Sequence, residues 1–331
     1  MIWIVLLAGA HAFAQNSTGV NDLIKQGQAF SDQQKYTDAI AKYKEALIAE
    51  PENDRANYEL AYALYSTNKG AEGIPYLEKA VANGKSASFK AGAYSLLGSV
   101  YSAANQFPKS IAAYRDGIKL DSTNQRLYYN LGITQYRARQ YTDAETSFIS
   151  AVIIDSAYAA SIRMYALTAF HQNKRAEALL GFCRFLMIDP TGPQSAEAFG
   201  NLQNILNGGA LKPEPGYKSS AAVKALASYQ NLLLTKALAG FATRRYASPT
   251  DLLATQLKAV FGALGSMPRD KYFAWYGFAD YFYKLSQTDN FSTFIKVISQ
   301  KSTPANGKWL KDNADKVASY EAWVKINKLT L

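Results

Sequence analysis

Apolar and small residues recur at helical spacing along the first two-thirds of the chain, and the pattern itself repeats. In Gly27 to Pro51, GQAFSDQQKYTDAIAKYKEALIAEP, Ala39, Tyr43 and Ala46 share one helical face, at i, i+4 and i+7. The small slot of Gly27 is refilled by Ala61, Gly98, Gly132 and Ala166, at intervals of 34, 37, 34 and 34 residues. The slot of Ala39 passes to Gly73, Ser110, Ala144 and Ala178, and that of Tyr43 to Leu77, Tyr114, Phe148 and Phe182. Ala46 is followed by Ala80, Gly117, Ala151 and Phe185, and Pro51 and Pro190 close the first and last copies.

Each copy predicts two antiparallel helices. The first two slots are small because the helices cross closely there, and the large slot fills the space beside the crossing. One hairpin cannot bury its own apolar face, so copies must stack. The 34-residue period, with Leu97-Gly98-x2-Tyr101, Ala144-x3-Phe148 and the closing prolines, resembles the tetratricopeptide repeat. The resemblance implies an all-α helical-hairpin solenoid of five repeats over residues 20–192. The extra Ser88, Phe89 and Lys90 are expected in the turn between repeats two and three. A capping helix is expected over 193–207, opened by Pro193 and ended by Gly208-Gly209.

Residues 208–220, with two prolines and several glycines, predict a linker to a smaller, basic helical domain over 221–331. Its helices are expected over Ser220 to Thr243, from Ser248-Pro249 to about Leu264, from Pro268, from Asp289 or Asn290, and after Pro304. In the third of these, Tyr272, Phe273, Trp275, Tyr276, Phe278, Tyr281, Phe282 and Tyr283 cover nearly every face, as in a helix surrounded by protein. Asp280 within it is expected to be structural, hydrogen-bonded or turned to water.

Charge sharpens this division. Up to Tyr217 there are 20 Lys/Arg against 19 Asp/Glu, whereas from Lys218 there are 16 against 7, so +9 of the net charge of +10 belongs to the C-terminal part. The opening residues 1–14, with an apolar run from Ile2 to Ala10 and then Ala12-Phe13-Ala14, resemble a secretory signal peptide. Export to a periplasm or the cell exterior is the expectation, with an uncleaved anchor as the alternative.

Chemistry finds little support. The single cysteine, Cys183, excludes an internal disulfide or cysteine metal site and is expected to be a small buried hydrophobe. His171 is the one histidine beyond the opening segment, and no phosphate loop, H-E-x-x-H or G-x-S-x-G is present. The chain is expected to be no enzyme and to need no cofactor or metal.

The resemblance implies instead a concave surface lined by the first helix of each hairpin. Its places fall on Arg55, Tyr58, Tyr62 and Tyr65 in repeat two, Arg126, Tyr129, Tyr136 and Arg137 in repeat four, and Arg163 and His171 in repeat five. Repeat three offers small residues at those places, Gly92, Ser95, Ser99, Ser102 and Ala103, which predicts an open centre. Tyrosine and arginine anchor partners through amphipathic area and forked hydrogen bonding. The expected function is an exported scaffold or adaptor holding a peptide or protein segment in this groove. The alternative is that the basic C-terminal domain is an enzymatic, glycan-binding or anionic-surface-binding module delivered by the repeats. Nucleic acid is not expected.

Overall fold

A computed structural model describes residues 19–210, 220–266 and 276–330, and among them every regular element is a helix. Helix α1 covers 19–32, followed by α2 (Tyr36–Ala49), α3 (Asp54–Ser66), α4 (Gly70–Asn83), α5 (Ala87–Ala103) and α6 (Phe107–Leu120). Next come α7 (Gln125–Arg137), α8 (Tyr141–Ile154), α9 (Ala159–His171), α10 (Arg175–Ile188) and α11 (Ser195–Leu206). The remainder is α12 (Ala221–Ala237), a short 3-10 turn, α13 (Pro249–Gly265), α14 (Tyr276–Ser286), α15 (Asn290–Ser299), α16 (Pro304–Asp312) and α17 (Ala314–Ile326). The chain forms two compact units, one ending at Thr134 and the other beginning at Gln135.

The repeat slots explain the hairpins. All the slot residues named above are buried, Ala39, Tyr43, Ala46, Ala61, Leu77 and Ala80 completely. A Cβ on Gly98 would stand 2.8 Å from the Tyr114 ring, and one on Gly73 3.2 Å from the Ala61 backbone. Both distances are shorter than carbon contacts allow without movement, so the small residues set the approach of each helix pair.

The turn inside each hairpin is equally regular. Gln34, Asn68, Asn105, Arg139 and Asn173 all have φ between 57° and 61°. The next residue donates its amide five positions back, as in Lys35 to the Phe30 carbonyl at 2.9 Å and Lys174 to the Ala169 carbonyl at 2.9 Å. This left-handed closure satisfies carbonyls that the helix end leaves open.

Three expectations change. Ser88, Phe89 and Lys90 lie inside α5 rather than in a lengthened turn: Ser86 accepts the Phe89 amide at 3.1 Å and starts the helix early, giving it 17 residues. The helix from Ser220 stops at Ala237, short of Thr243, because Gly240 adopts φ 78° and a 3-10 turn follows. The compact second unit also joins the later repeats to the helices after residue 220, a division unlike that expected at 208–220.

The reason for the third change lies on α10. Every residue from Arg175 to Leu186 is buried, because α12, α14 and α15 pack on the helix besides α9 and α11. Tyr165 on α9 stacks on Phe278 of α14 at 5.9 Å, and the Arg184 guanidinium lies 5.5 Å from the Tyr281 ring centre. Below them Phe261, Phe282 and Phe294 form an aromatic cluster, with Phe261 and Phe282 at 4.9 Å. Phe278 and Phe282 are fully buried while Tyr283 is exposed, and Asp280 makes a surface pair with Lys284 at 2.7 Å. Residues 1–14, most of 208–220 and the segment Pro268 to Trp275 lie outside the described residues.

Candidate functional site

In the first unit, α3 carries four of the expected surface residues. Asn53 starts the helix by accepting the Ala56 amide at 2.9 Å. Ala56, Leu60 and Ala63 then turn to the core, which leaves Arg55, Tyr58, Tyr62 and Tyr65 on the opposite side. Tyr62 is 41% and Tyr65 37% exposed, an unusual openness for two large rings one turn apart.

Tyr58 is half-buried because Phe89 of α5 packs against it at 5.7 Å, and this burial raises its phenol above the ordinary range. Arg55 is exposed, 4.0 Å from Glu59, and Glu59 also accepts a hydrogen bond from Gln28 of α1 at 2.8 Å. Asp54, Arg55, Tyr58, Glu59, Lys85, Ser86 and Phe89 line an open surface cavity of about 390 Å³. It presents aromatic walls with charges of both signs at the edge, suited to a side chain with an apolar body and a polar end.

Arg126 is exposed and Tyr129 half-buried on the part of α7 that belongs to the same unit. The small residues of repeat three are only partly free. A Cβ on Gly92 would meet nothing within 4 Å, as an open surface requires. Ser99, however, bonds to the Tyr114 hydroxyl at 2.9 Å, and Ser102 is buried, accepting from Thr134 at 3.2 Å. Phe89 is the residue that repeat positions miss. It belongs to the three-residue insertion, whose apolar centre between polar neighbours was the available signal.

In the second unit the remaining residues form a different arrangement. Tyr136 bonds to His171 Nε2 at 2.6 Å, and the imidazole stacks on Tyr141 at 5.1 Å. His171 is therefore part of an aromatic cluster with Tyr136 and Tyr141. Arg163 approaches Glu197 of α11 at 3.9 Å, and Arg137 is exposed. Cys183 is fully buried and its thiol pushed well up by desolvation.

Among the described residues no three His, Cys, Asp or Glu side chains gather as a metal site, and no helix is long and apolar enough to cross a membrane.

Two family models match the chain. One, described as Tetratricopeptide repeat, covers residues 24–88, and the other, TPR repeat, covers residues 98–138. Residues 24–88 and 98–138 are tetratricopeptide repeats.

Among solved structures, PilF of Pseudomonas aeruginosa is similar over 68% of this chain and 95% of its own, with a TM-score of 0.51 and 14% identity. At that identity the likeness is one of fold. MamA matches with a TM-score of 0.47 and 21% identity over 54% of this chain and 94% of its own. YrrB, described as a TPR protein with an unusual peptide-binding site, matches with a TM-score of 0.48 and 17% identity over 58% of this chain and 97% of its own. No curated protein matches. The tetratricopeptide repeats thus account for the hairpin architecture, while the functional reading rests on the α3 and α5 surface.

Proposed function

We propose that this protein is a non-catalytic scaffold whose α3–α5 face grips an extended peptide or protein segment. The observation that carries the reading is the row of Tyr58, Tyr62 and Tyr65, two of them exposed, beside the cavity holding Arg55 and Phe89. Aromatic and arginine side chains are the types that carry most of an interface, through large amphipathic area and forked hydrogen bonding. The mixed charges of Arg55, Lys85, Asp54 and Glu59 favour a polar segment with an apolar or aromatic anchor over a uniformly charged one.

Export belongs to the same proposal. It is supported by the apolar run from Ile2 to Ala10 and the Ala12-Phe13-Ala14 sequence, and N-terminal sequencing of the native protein should begin at Gln15. The excess of lysine after residue 218 favours an additional weak attraction to anionic envelope surfaces. Salt-sensitive sedimentation of the full chain with anionic vesicles checks that part separately.

The groove reading is tested by a cross-linking pull-down from the native envelope. Arg55→Ala with Tyr62→Ala should lower partner recovery by about tenfold or more, since anchors of this type carry most of an interface. Both side chains are exposed enough to leave the helical circular dichroism unchanged. Full recovery by the double variant rejects the proposal.

A further inference from the structure

A second cavity, of about 410 Å³, lies entirely in the second unit, where α10, α11, α12 and α13 meet. Its walls are mainly apolar, with Ile205, Leu206, Leu234, Leu238, Phe241 and Leu252. Arg175, the first residue of α10, is the one charged group among the described lining residues, and it is only 8% exposed.

The guanidinium is partly engaged. Nε donates to Asn231 Oδ1 at 2.8 Å, and Nη1 donates to the carbonyls of Gly208 at 2.6 Å and Gly209 at 3.3 Å. These bonds fix the plane of the fork against the end of α11 and the side of α12. Nη2 donates to none of the described residues, and no carboxylate of those residues lies within 4.0 Å of the group. Neutral acceptors orient a cation but leave its charge standing, and a buried charge without a counter-ion is costly. Burial indeed holds the Arg175 pKa below the ordinary arginine range.

An apolar recess with one fixed guanidinium that no carboxylate of the described residues pairs is complementary to a particular ligand chemistry. The carboxylate end meets the free Nη2 edge, while an aliphatic body covers the leucines and Phe241. The volume is near the lower end of the roughly 300–1,000 Å³ typical of small-molecule sites, which limits the tail to a medium length.

We propose that this cavity binds a small amphipathic monocarboxylate of the medium-chain acyl class, held through Arg175. The site is independent of the tyrosine face on α3 and α5, so either can fail while the other stands.

Calorimetric titration of the full chain with decanoate, decanol and decylamine tests the proposal. Saturable binding of decanoate is expected with one-to-one stoichiometry, at least tenfold tighter than decanol and with no measurable binding of decylamine. Arg175→Gln should weaken decanoate at least tenfold. Because Arg175 also holds the Gly208 and Gly209 carbonyls, that variant can lose structure for other reasons, so Ala239→Trp provides the second arm. Ala239 lines the cavity from an exposed turn, and an indole there should fill the space and abolish decanoate binding without touching the arginine. Equal binding of decanol and decanoate, undiminished decanoate binding by Ala239→Trp, or no saturable binding by the parent chain overturns the proposal.

Discussion

At the fifth hairpin Arg175 opens α10 where the other four copies place Tyr36, Gly70, Phe107 and Tyr141. Two positions on, Glu177 lines up with Asp38, Glu72, Lys109 and Asp143, all of which are exposed. Glu177 is 2% exposed because α12 covers it, with Gln230 donating to its Oε1 at 2.7 Å. Lys174 is its nearest cation, at 3.9 Å, but sits closer to Glu145, at 2.6 Å, and the Tyr165 hydroxyl lies 3.4 Å away. One ammonium facing two carboxylates in a buried pocket leaves one acid better off neutral. Desolvation, reinforced by Glu145, therefore raises Glu177 well above the ordinary 4.5. A raised folded pKa means that the folded chain keeps a proton the unfolded chain releases. The resulting stability is complete below the ordinary carboxylate range and is lost as pH rises toward the folded value. The melting temperature of the parent should fall as pH rises above the ordinary carboxylate range, while that of Glu177→Gln, which retains an acceptor for Gln230, should fall less and lie higher at the alkaline end. Parallel melting curves over that rise in pH would argue against a protonated Glu177.

At the scale of the helix pair, the left-handed turn and the small crossing residues make separable contributions. Gln34 occupies φ 59° without the asparagine found at three of the five equivalent turns. Gln34→Gly should relieve that conformation and stabilise the first hairpin by about 0.5–1 kcal/mol, a shift readable in chemical denaturation. Gly98→Val should act in the opposite direction by about 1–3 kcal/mol, because even a Cβ there reaches the Tyr114 ring at 2.8 Å. These elements were legible in the sequence because each slot is set by local geometry and repeated at one period. The left-handed turn position holds Asn68, Asn105 and Asn173 but also Gln34 and Arg139, so no single residue type marks it in the sequence. The early start of α5 was not legible from the period, since a capping serine, Ser86, turned three inserted residues into helix. Of the candidate site, the repeat places located Tyr58, Tyr62 and Tyr65. They missed Phe89, which no repeat position marks, and they could not foresee that His171 is held by Tyr136 and Tyr141.

At the scale of the molecule, the composition change after Tyr217 suggested where one domain ends, yet charge reports the solvent-facing surface and says little about what the buried faces touch. Arg175, Glu177 and Cys183 all lie within the twelve buried residues from Arg175 to Leu186. In the preceding repeat, Asp143 remains exposed at the place that Glu177 fills. The partners that cover α10 come from far along the chain: Gln230 from α12, Phe278 and Tyr281 from α14, and residues of α15. No local pattern announces such packing, because an apolar face reads the same whether a sixth repeat or an unrelated helix lies on it. A chain truncated after Asn207, the cut that composition recommends, would uncover that face and leave Glu177 without Gln230. Each large side chain so exposed forfeits about 1.5–3 kcal/mol. At roughly 2–4 °C per kcal/mol for a unit of this size, the melting temperature of residues 19–207 should drop by on the order of 10 °C relative to residues 19–331. The newly exposed aromatic and aliphatic surface should also drive concentration-dependent association, seen by light scattering after size exclusion. A monomeric fragment with the melting temperature of the longer chain would mean that the C-terminal helices merely rest on α10 and that the second unit is stabilised by its repeats alone.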